Sequence, residues 1–291
     1  MIVLKVFKSI CLCLLSLLFV ISLFSCKNQE DENESGAESE QKEGKWLLTR
    51  QSSNGGSTIT EYSYDEQGRV ARVEMKTNLG DSISVYSYDE AGRVLSIVTE
   101  SYGGKTVESN SYNSDGLLIL YKTAYTAEYE GNSFENTVEY EYDEQKRVVC
   151  ETYNDIVGYD YSYDSDGGYK KEKRNPLGKA ELSEYYDKDG NLVSWEDNTG
   201  SKGYCEYSFD ESGRMLSQKK YSGGELIESV EYRYDEYGSC IYKRTEHIGF
   251  YEYEIEYEYD KHGNCTYTFK TSADGERELV EECEYTFFET E

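Results

Sequence analysis

Only two histidines, His247 and His262, occur among the 291 residues. Metal centres and acid–base pairs built on imidazole therefore have almost no raw material. Carboxylates are abundant: 58 aspartates and glutamates supply the groups that glycoside hydrolysis requires, but they are spread so evenly that no pair stands apart. Asp164-Ser165-Asp166-Gly167 and Asp187-Lys188-Asp189-Gly190-Asn191 open like a calcium loop. Both lack the later oxygen ligands at the required spacing, and both fall on a repeated turn, so they read as turn chemistry. Cys150, Cys205, Cys240, Cys265 and Cys283 form an odd set, so at least one is unpaired, and no Cys-x-x-Cys spacing suggests a metal. Cys240 and Cys265 occupy the same position of neighbouring repeats, about two strands apart, too far for a relaxed disulfide. No catalytic residue, metal site or cofactor is expected.

The residues with the most chemical potential are aromatic. Tyrosine contributes 31 residues and proline one. Tyr62, Tyr64, Tyr86, Tyr88, Tyr140, Tyr142, Tyr232, Tyr234, Tyr257 and Tyr259 are the candidate binding rings. An amphipathic ring can stack on a sugar or a protein side chain when exposed, or fill a core when covered. The core reading is the simpler one, since a flat sheet with both faces wet would curl to bury at least one.

These tyrosines sit in a repeat. Tyr62-Ser63-Tyr64-Asp65-Glu66-Gln67-Gly68-Arg69-Val70 recurs as Tyr86-Ser87-Tyr88-Asp89-Glu90-Ala91-Gly92-Arg93-Val94. Weaker copies centre on Tyr112, Tyr142, Tyr163, Tyr186, Phe209, Tyr234 and Tyr259, making nine units with an insertion in the third. Tyr, Val and Thr alternating with polar residues favour half-buried strands. Asp at the start of each turn (Asp65, Asp89, Asp143, Asp164, Asp187, Asp210, Asp235, Asp260) caps a type I turn. Gly three residues later (Gly68, Gly92, Gly116, Gly167, Gly190, Gly213, Gly238, Gly263) takes the left-handed conformation of a three-residue hairpin loop. Lys146 alone replaces that glycine, which predicts the most strained turn in the fourth unit. Asp65 then faces Arg69 in an exposed ion pair, and Tyr64 faces Val70. A second set of turn signals between the copies, such as Asn175-Pro176-Leu177-Gly178 and Gly223-Gly224, reverses the chain again. The fold class is all-β: a single-domain antiparallel meander of about 20 short strands over residues 46–291. A curled single sheet is the expected form, with open, trough-like and closed arrangements all compatible with the pattern.

The repeated motif resembles the YD repeats of the RHS family, whose pattern is Tyr-Asp, two variable residues, Gly, then Arg or Asn before an aliphatic. The resemblance covers roughly residues 58–270. It implies hairpins packed side by side into a long curled sheet. Large members of that family close into a shell around a toxin domain, a role that nine units and a chain ending in strand-like sequence do not support here.

Residues 1–25 differ in kind. Lys5 and Lys8 precede an apolar run from Ile10 to Phe24, and the run ends Leu23-Phe24-Ser25-Cys26. This resembles the lipobox of bacterial lipoprotein precursors, with Cys26 as the lipidated thiol and Phe24 bulkier than usual; the alternative is an uncleaved membrane helix. Residues 26–45 are polar and acidic and read as a flexible tether. An acidic run behind the lipidated cysteine also resembles the export signal of surface lipoproteins in some Gram-negative anaerobes. A Gram-negative outer-membrane lipoprotein, exposed at the surface, is the expected address. The formal charge of −28 repels phosphate backbones, so nucleic acid is not an expected partner. The expected partners are the membrane, through the lipid, and a glycan or protein ligand of a non-enzymatic binding or adhesion module. The alternatives are a structural scaffold within a secreted assembly and, less favoured, a glycoside hydrolase.

Overall fold

The computed structural model describes residues 44–289 apart from 54, 129–132, 237, 248–250 and 273. The expected signal peptide (1–25), the lipidation site Cys26 and nearly all of the tether (26–45) lie outside the described residues. Every element is a β-strand: β1 (Gly44–Ser53), β2 (Thr58–Tyr64), β3 (Val70–Thr77), β4 (Ser82–Tyr88), β5 (Val94–Ser101), β6 (Gly104–Tyr112), β7 (Leu118–Ala127), β8 (Phe134–Tyr142), β9 (Val148–Tyr153) and β10 (Ile156–Tyr163). The chain continues as β11 (Tyr169–Arg174), β12 (Ala180–Tyr186), β13 (Leu192–Asp197), β14 (Lys202–Phe209), β15 (Met215–Ser222), β16 (Glu225–Tyr234), β17 (Cys240–His247), β18 (Tyr251–Tyr259), β19 (Cys265–Ser272) and β20 (Arg277–Glu289). No helix occurs among the described residues.

Each strand pairs antiparallel with the next, and β20 pairs antiparallel with β1, so the meander is a closed barrel rather than the expected curled sheet. The physical reason lies in the registers of the first and last strands. Tyr285 of β20 faces Leu48 of β1 just as Tyr64 faces Val70, and both pairings are followed by a one-residue register shift. β20 and β1 are therefore the halves of a tenth hairpin, and their pairing removes both open edges. Trp46 of β1 stacks on His262 at 4.5 Å and meets Phe287 of β20 edge-on at 5.4 Å, packing the seam with aromatic rings. Twenty strands about 4.8 Å apart give a circumference of roughly 96 Å, hence a backbone radius of at least about 15 Å if the section is circular. No described side chain is fully buried, as expected of a wall around an open lumen rather than a packed core.

The turns follow the local chemistry. Asp65 N–H donates to the Arg69 carbonyl at 2.8 Å and Gly68 N–H to the Asp65 carbonyl at 2.9 Å, and the other units repeat both bonds. The eight glycines of the turn slot have φ between +67° and +90°. Lys146 is forced to +63° at the same slot. Its ammonium lies 3.1 Å from Asp115, but both side chains are more than half exposed, so the pair offsets little of the strain. Lys146→Gly is expected to raise stability by roughly 0.5–1 kcal/mol. Urea denaturation is the check, and an unchanged or lower midpoint would show that the turn carries no such strain.

Candidate functional site

Alternation along the strands, set by the pairing registers, puts Tyr62, Tyr64, Val70 and Val73 on one face and Glu61, Ser63 and Arg72 on the other. In a closed barrel the concave face is the more crowded. The tyrosine positions are the less exposed set and Glu61 and Ser63 the exposed one, so the tyrosines line the lumen. Tyr62, Tyr64, Tyr86, Tyr88, Tyr140, Tyr142, Tyr232, Tyr234, Tyr257 and Tyr259 all fall on this inner wall, in two rows two residues apart.

The row beside the Asp-Gly turns is a structural ladder. In each regular hairpin a bulge follows the turn: Tyr64 pairs with Val70, but Ser63 pairs with Arg72, which leaves Ala71 as the extra residue. The ladder from β3 to the next hairpin begins only at Arg72 and Val85, so the Val70 carbonyl meets no backbone donor from β4. The Tyr88 hydroxyl reaches across and donates to it at 2.6 Å. The same bond joins Tyr112 to Val94, Tyr142 to Leu118, Tyr163 to Val148, Tyr207 to Leu192, Tyr234 to Met215, Tyr259 to Cys240 and Tyr285 to Cys265, at 2.7–3.0 Å. Tyr64 makes the same bond to Leu48 of β1. Where Phe209 replaces the usual tyrosine, Tyr207 of the second row takes over the bond.

At the rim, the turn aspartates do more than cap. Asp65 Oδ1 accepts from the Gln67 and Arg69 amides, while Oδ2 holds Arg69 Nε at 2.7 Å. The guanidinium then lies over the ring of the next hairpin's tyrosine: Arg69 over Tyr88 at 4.3 Å, Arg93 over Tyr112 at 4.5 Å, Arg147 over Tyr163 at 4.0 Å and Arg214 over Tyr234 at 5.0 Å. The ion pair expected to be exposed is thus partly enclosed and stacked, a role for arginine that the turn motif alone does not announce. The Arg93 amide and guanidinium hold the Asp89 carboxyl below its usual range, and those of Arg214 do the same for Asp210. Asp164 and Asp187, the calcium-like pair, each accept turn amides, and Asp187 also accepts from Asn191 Nδ2.

The second row is free to do more. Tyr62 donates to Gln51, but the hydroxyls of Tyr86, Tyr140, Tyr232 and Tyr257 have no hydrogen-bond partner among the described residues. Burial pushes the Tyr86 and Tyr257 phenols up to about 12, with Glu108 adding to the first and Cys240 to the second. These rings share the wall with charged groups. Lys243 approaches the Tyr232 ring at 5.8 Å, and Lys171 lies over Tyr159 at 4.1 Å. Glu108 accepts from Tyr121, and Glu151 accepts from Tyr153 and Tyr161. The wall is an alternation of ring faces, hydroxyls, ammonium groups and carboxylates. All five described cysteines are free thiols.

The outer wall is of different character. Ion pairs such as Arg72–Glu74, Lys76–Glu61, Lys122–Glu135 and Arg277–Glu256 run across it. A charge facing lipid at mid-bilayer costs about 2–4 kcal/mol for Arg or Lys, so this wall suits water rather than hydrocarbon. Several exposed aliphatics, including Leu95, Ile119, Val193, Leu216 and Ile241, are the extra residues of the bulges.

No family model matches the chain, and no curated protein matches it. Among solved structures it is similar to the Photorhabdus luminescens Tc holotoxin pore carrying TccC3-D651A, at 14% identity over 79% of this chain and 14% of that chain, with a TM-score of 0.29. It is also similar to a porin-like protein from Bacteroides vulgatus, at 11% identity over 82% of this chain and 98% of that one, TM-score 0.31. A porin-like protein from Bacteroides uniformis gives 13% identity over 75% and 97%, TM-score 0.24. The chain spans 14% of the length of the toxin chain. Similarity this loose transfers no activity, ligand or membrane behaviour from those proteins.

The two tyrosine rows separate in one experiment. Tyr88→Phe leaves the Val70 carbonyl without its donor and is expected to cost about 1–2 kcal/mol. Tyr86→Phe removes a hydroxyl with no protein partner and should stay within about 0.5 kcal/mol of the parent. Equal losses in urea denaturation would refute the division of labour.

Proposed function

We propose that this chain is a non-enzymatic binding module, held at the cell envelope by a lipid on Cys26, that takes an extended neutral glycan along the inner wall of its barrel. The observation that carries this reading is a set of second-row tyrosines, Tyr86, Tyr140, Tyr232 and Tyr257, whose rings face the lumen and whose hydroxyls have no hydrogen-bond partner among the described residues. Ring faces suit the C–H faces of sugars, and the interspersed Lys, Glu and phenol groups suit their hydroxyls. The formal charge of −28 disfavours polyanionic ligands, which makes a neutral glycan the better match. The ion-paired outer wall is consistent with a water-filled surrounding, the lipid alone providing attachment.

The second reading is a structural scaffold, a short RHS-like component of a secreted assembly. The ladder of phenol-to-carbonyl bonds favours it, because those tyrosines are fully engaged in holding the wall together.

Two measurements test the proposal. A lipid-free Cys26→Ser protein screened against neutral glycans should retain a ligand and lose it on Tyr86→Ala with Tyr232→Ala, while Tyr204→Ala on the outer wall changes nothing. Retention of no glycan leaves the scaffold reading in its place. In cells, Cys26→Ser should move the protein from the membrane fraction to the soluble fraction, and continued membrane retention would sink the anchoring.

A further inference from the structure

The fifth repeat departs from the ladder on the side that faces the next hairpin. Its turn carries Gly168 where other units carry Arg69, Arg93, Arg147 or Arg214. Its hairpin, β10 with β11, has no bulge: Tyr163 pairs with Tyr169 and the register runs unbroken. With no bulge the β11–β12 ladder reaches the turn itself, and Tyr169 pairs directly with Tyr186. The Tyr186 hydroxyl consequently turns to Glu184 instead of a freed carbonyl, and its ring stacks on Tyr169 at 4.6 Å and 8°. An added Cβ on Gly168 would lie 2.8 Å from the Tyr186 carbonyl oxygen, so the close approach of the strands excludes any side chain there.

The consequence falls on Asp164. Its counterparts Asp65, Asp89, Asp143 and Asp210 each hold an arginine, and Asp187 and Asp260 each hold an asparagine. Asp164 accepts the Asp166 amide, but residue 168 offers it no side chain. Beside it lies a pocket of about 280 Å³ lined by Tyr163, Tyr169 and Tyr186, whose rings share one face of the sheet, and by Ser162, Lys170 and Tyr185, whose side chains belong to the other. Lys170 is paired with Glu172 rather than with Asp164. A carboxylate beside the rings of Tyr163, Tyr169 and Tyr186 is cation-binding chemistry. The array itself shows which cation its rim accepts, since at four other turns a guanidinium bridges the same aspartate and a tyrosine ring.

We infer that the rim pocket of the fifth repeat binds a guanidinium group in trans, such as the side chain of an arginine in a partner peptide, with Asp164 as its anion and the tyrosine rings as its walls. The group would enter from solvent at the turn end of the barrel. This site is separate from the second-row tyrosines and stands whether or not the lumen holds a glycan.

The test uses the lipid-free Cys26→Ser protein and acetyl-arginine methylamide, with the neutral acetyl-citrulline methylamide as isostere, followed by chemical shifts of the tyrosine rings. The arginine probe is expected to bind and the citrulline probe not. Asp164→Asn should weaken binding about five-fold or more, the worth of roughly 1 kcal/mol. That variant should fold, because Asn113 and Asn175 already cap equivalent turns through their Oδ1. Tyr186→Leu, which removes the ring equivalent to those under the four bridging arginines, provides a second variant with the same expected direction. Asp189→Asn, a charge change on the neighbouring turn, should leave binding unchanged. No binding of arginine, equal binding of citrulline, or an Asp164→Asn affinity equal to that of Asp189→Asn would each overturn the assignment.

Discussion

A bulge that follows a tight turn leaves the returning strand with a carbonyl that the next strand cannot reach, and that single unmet acceptor organises this protein. The extra residue Ala71 shifts the backbone so that the ladder to the next hairpin restarts at Arg72. An open carbonyl at a half-buried position is costly, and the tyrosine hydroxyl of the adjacent unit is the donor at hand. The tyrosine is therefore an inter-repeat bond as well as a hydrophobic surface. Its ring also supports the arginine that ties the preceding turn, so one side chain serves two neighbours. The fifth repeat supplies the control within the molecule: without the bulge there is no freed carbonyl, and Tyr186 is released to another partner.

The same logic explains closure. Repeats that interact only with their neighbours stack indefinitely unless the last can bond the first. Here the first and last strands pair as the two halves of a hairpin: β20 supplies the tyrosine-bearing half and β1 the bulged half, with Thr49 as the extra residue between Leu48 and Arg50. The seam carries Tyr285-to-Cys265 on one side and Tyr64-to-Leu48 on the other, making it chemically equivalent to a covalent hairpin. Closing on ten units sets a radius too large for side chains to fill, which is why the inner tyrosines remain half-covered.

Much of this was legible in the residues. Asp65 and Gly68 define the loop, Lys146 marks the strained one, and the facing of Tyr64 with Val70 follows from the loop length. The bulge was not legible, because Ala71 or Leu95 in an alternating pattern looks like an ordinary outward residue. Without it the need for a hydroxyl at Tyr88, rather than any large apolar group, has no visible cause. Closure was hidden for a related reason: Leu48 and Tyr285 pair as a repeat does but lack the Asp-Gly turn by which repeats are recognised. The role of the arginines depends on a neighbour about two dozen residues away, which a motif read within one hairpin cannot show. The fifth pocket is a product of Gly168 and the register it permits, visible only after the strands are paired.

The split hairpin also has a mechanical side. Gly44 opens β1 at the same rim as the Asp-Gly turns, and β1 is paired along its length with β20 and with β2 toward the opposite rim. A pull on Gly44 directed away from that rim runs parallel to the strand, so the bonds to β20 share the load in shear instead of opening one after another. A pull across the rim would peel them singly. The seam is thus the place where direction of force, and not its size alone, decides whether the ring stays shut.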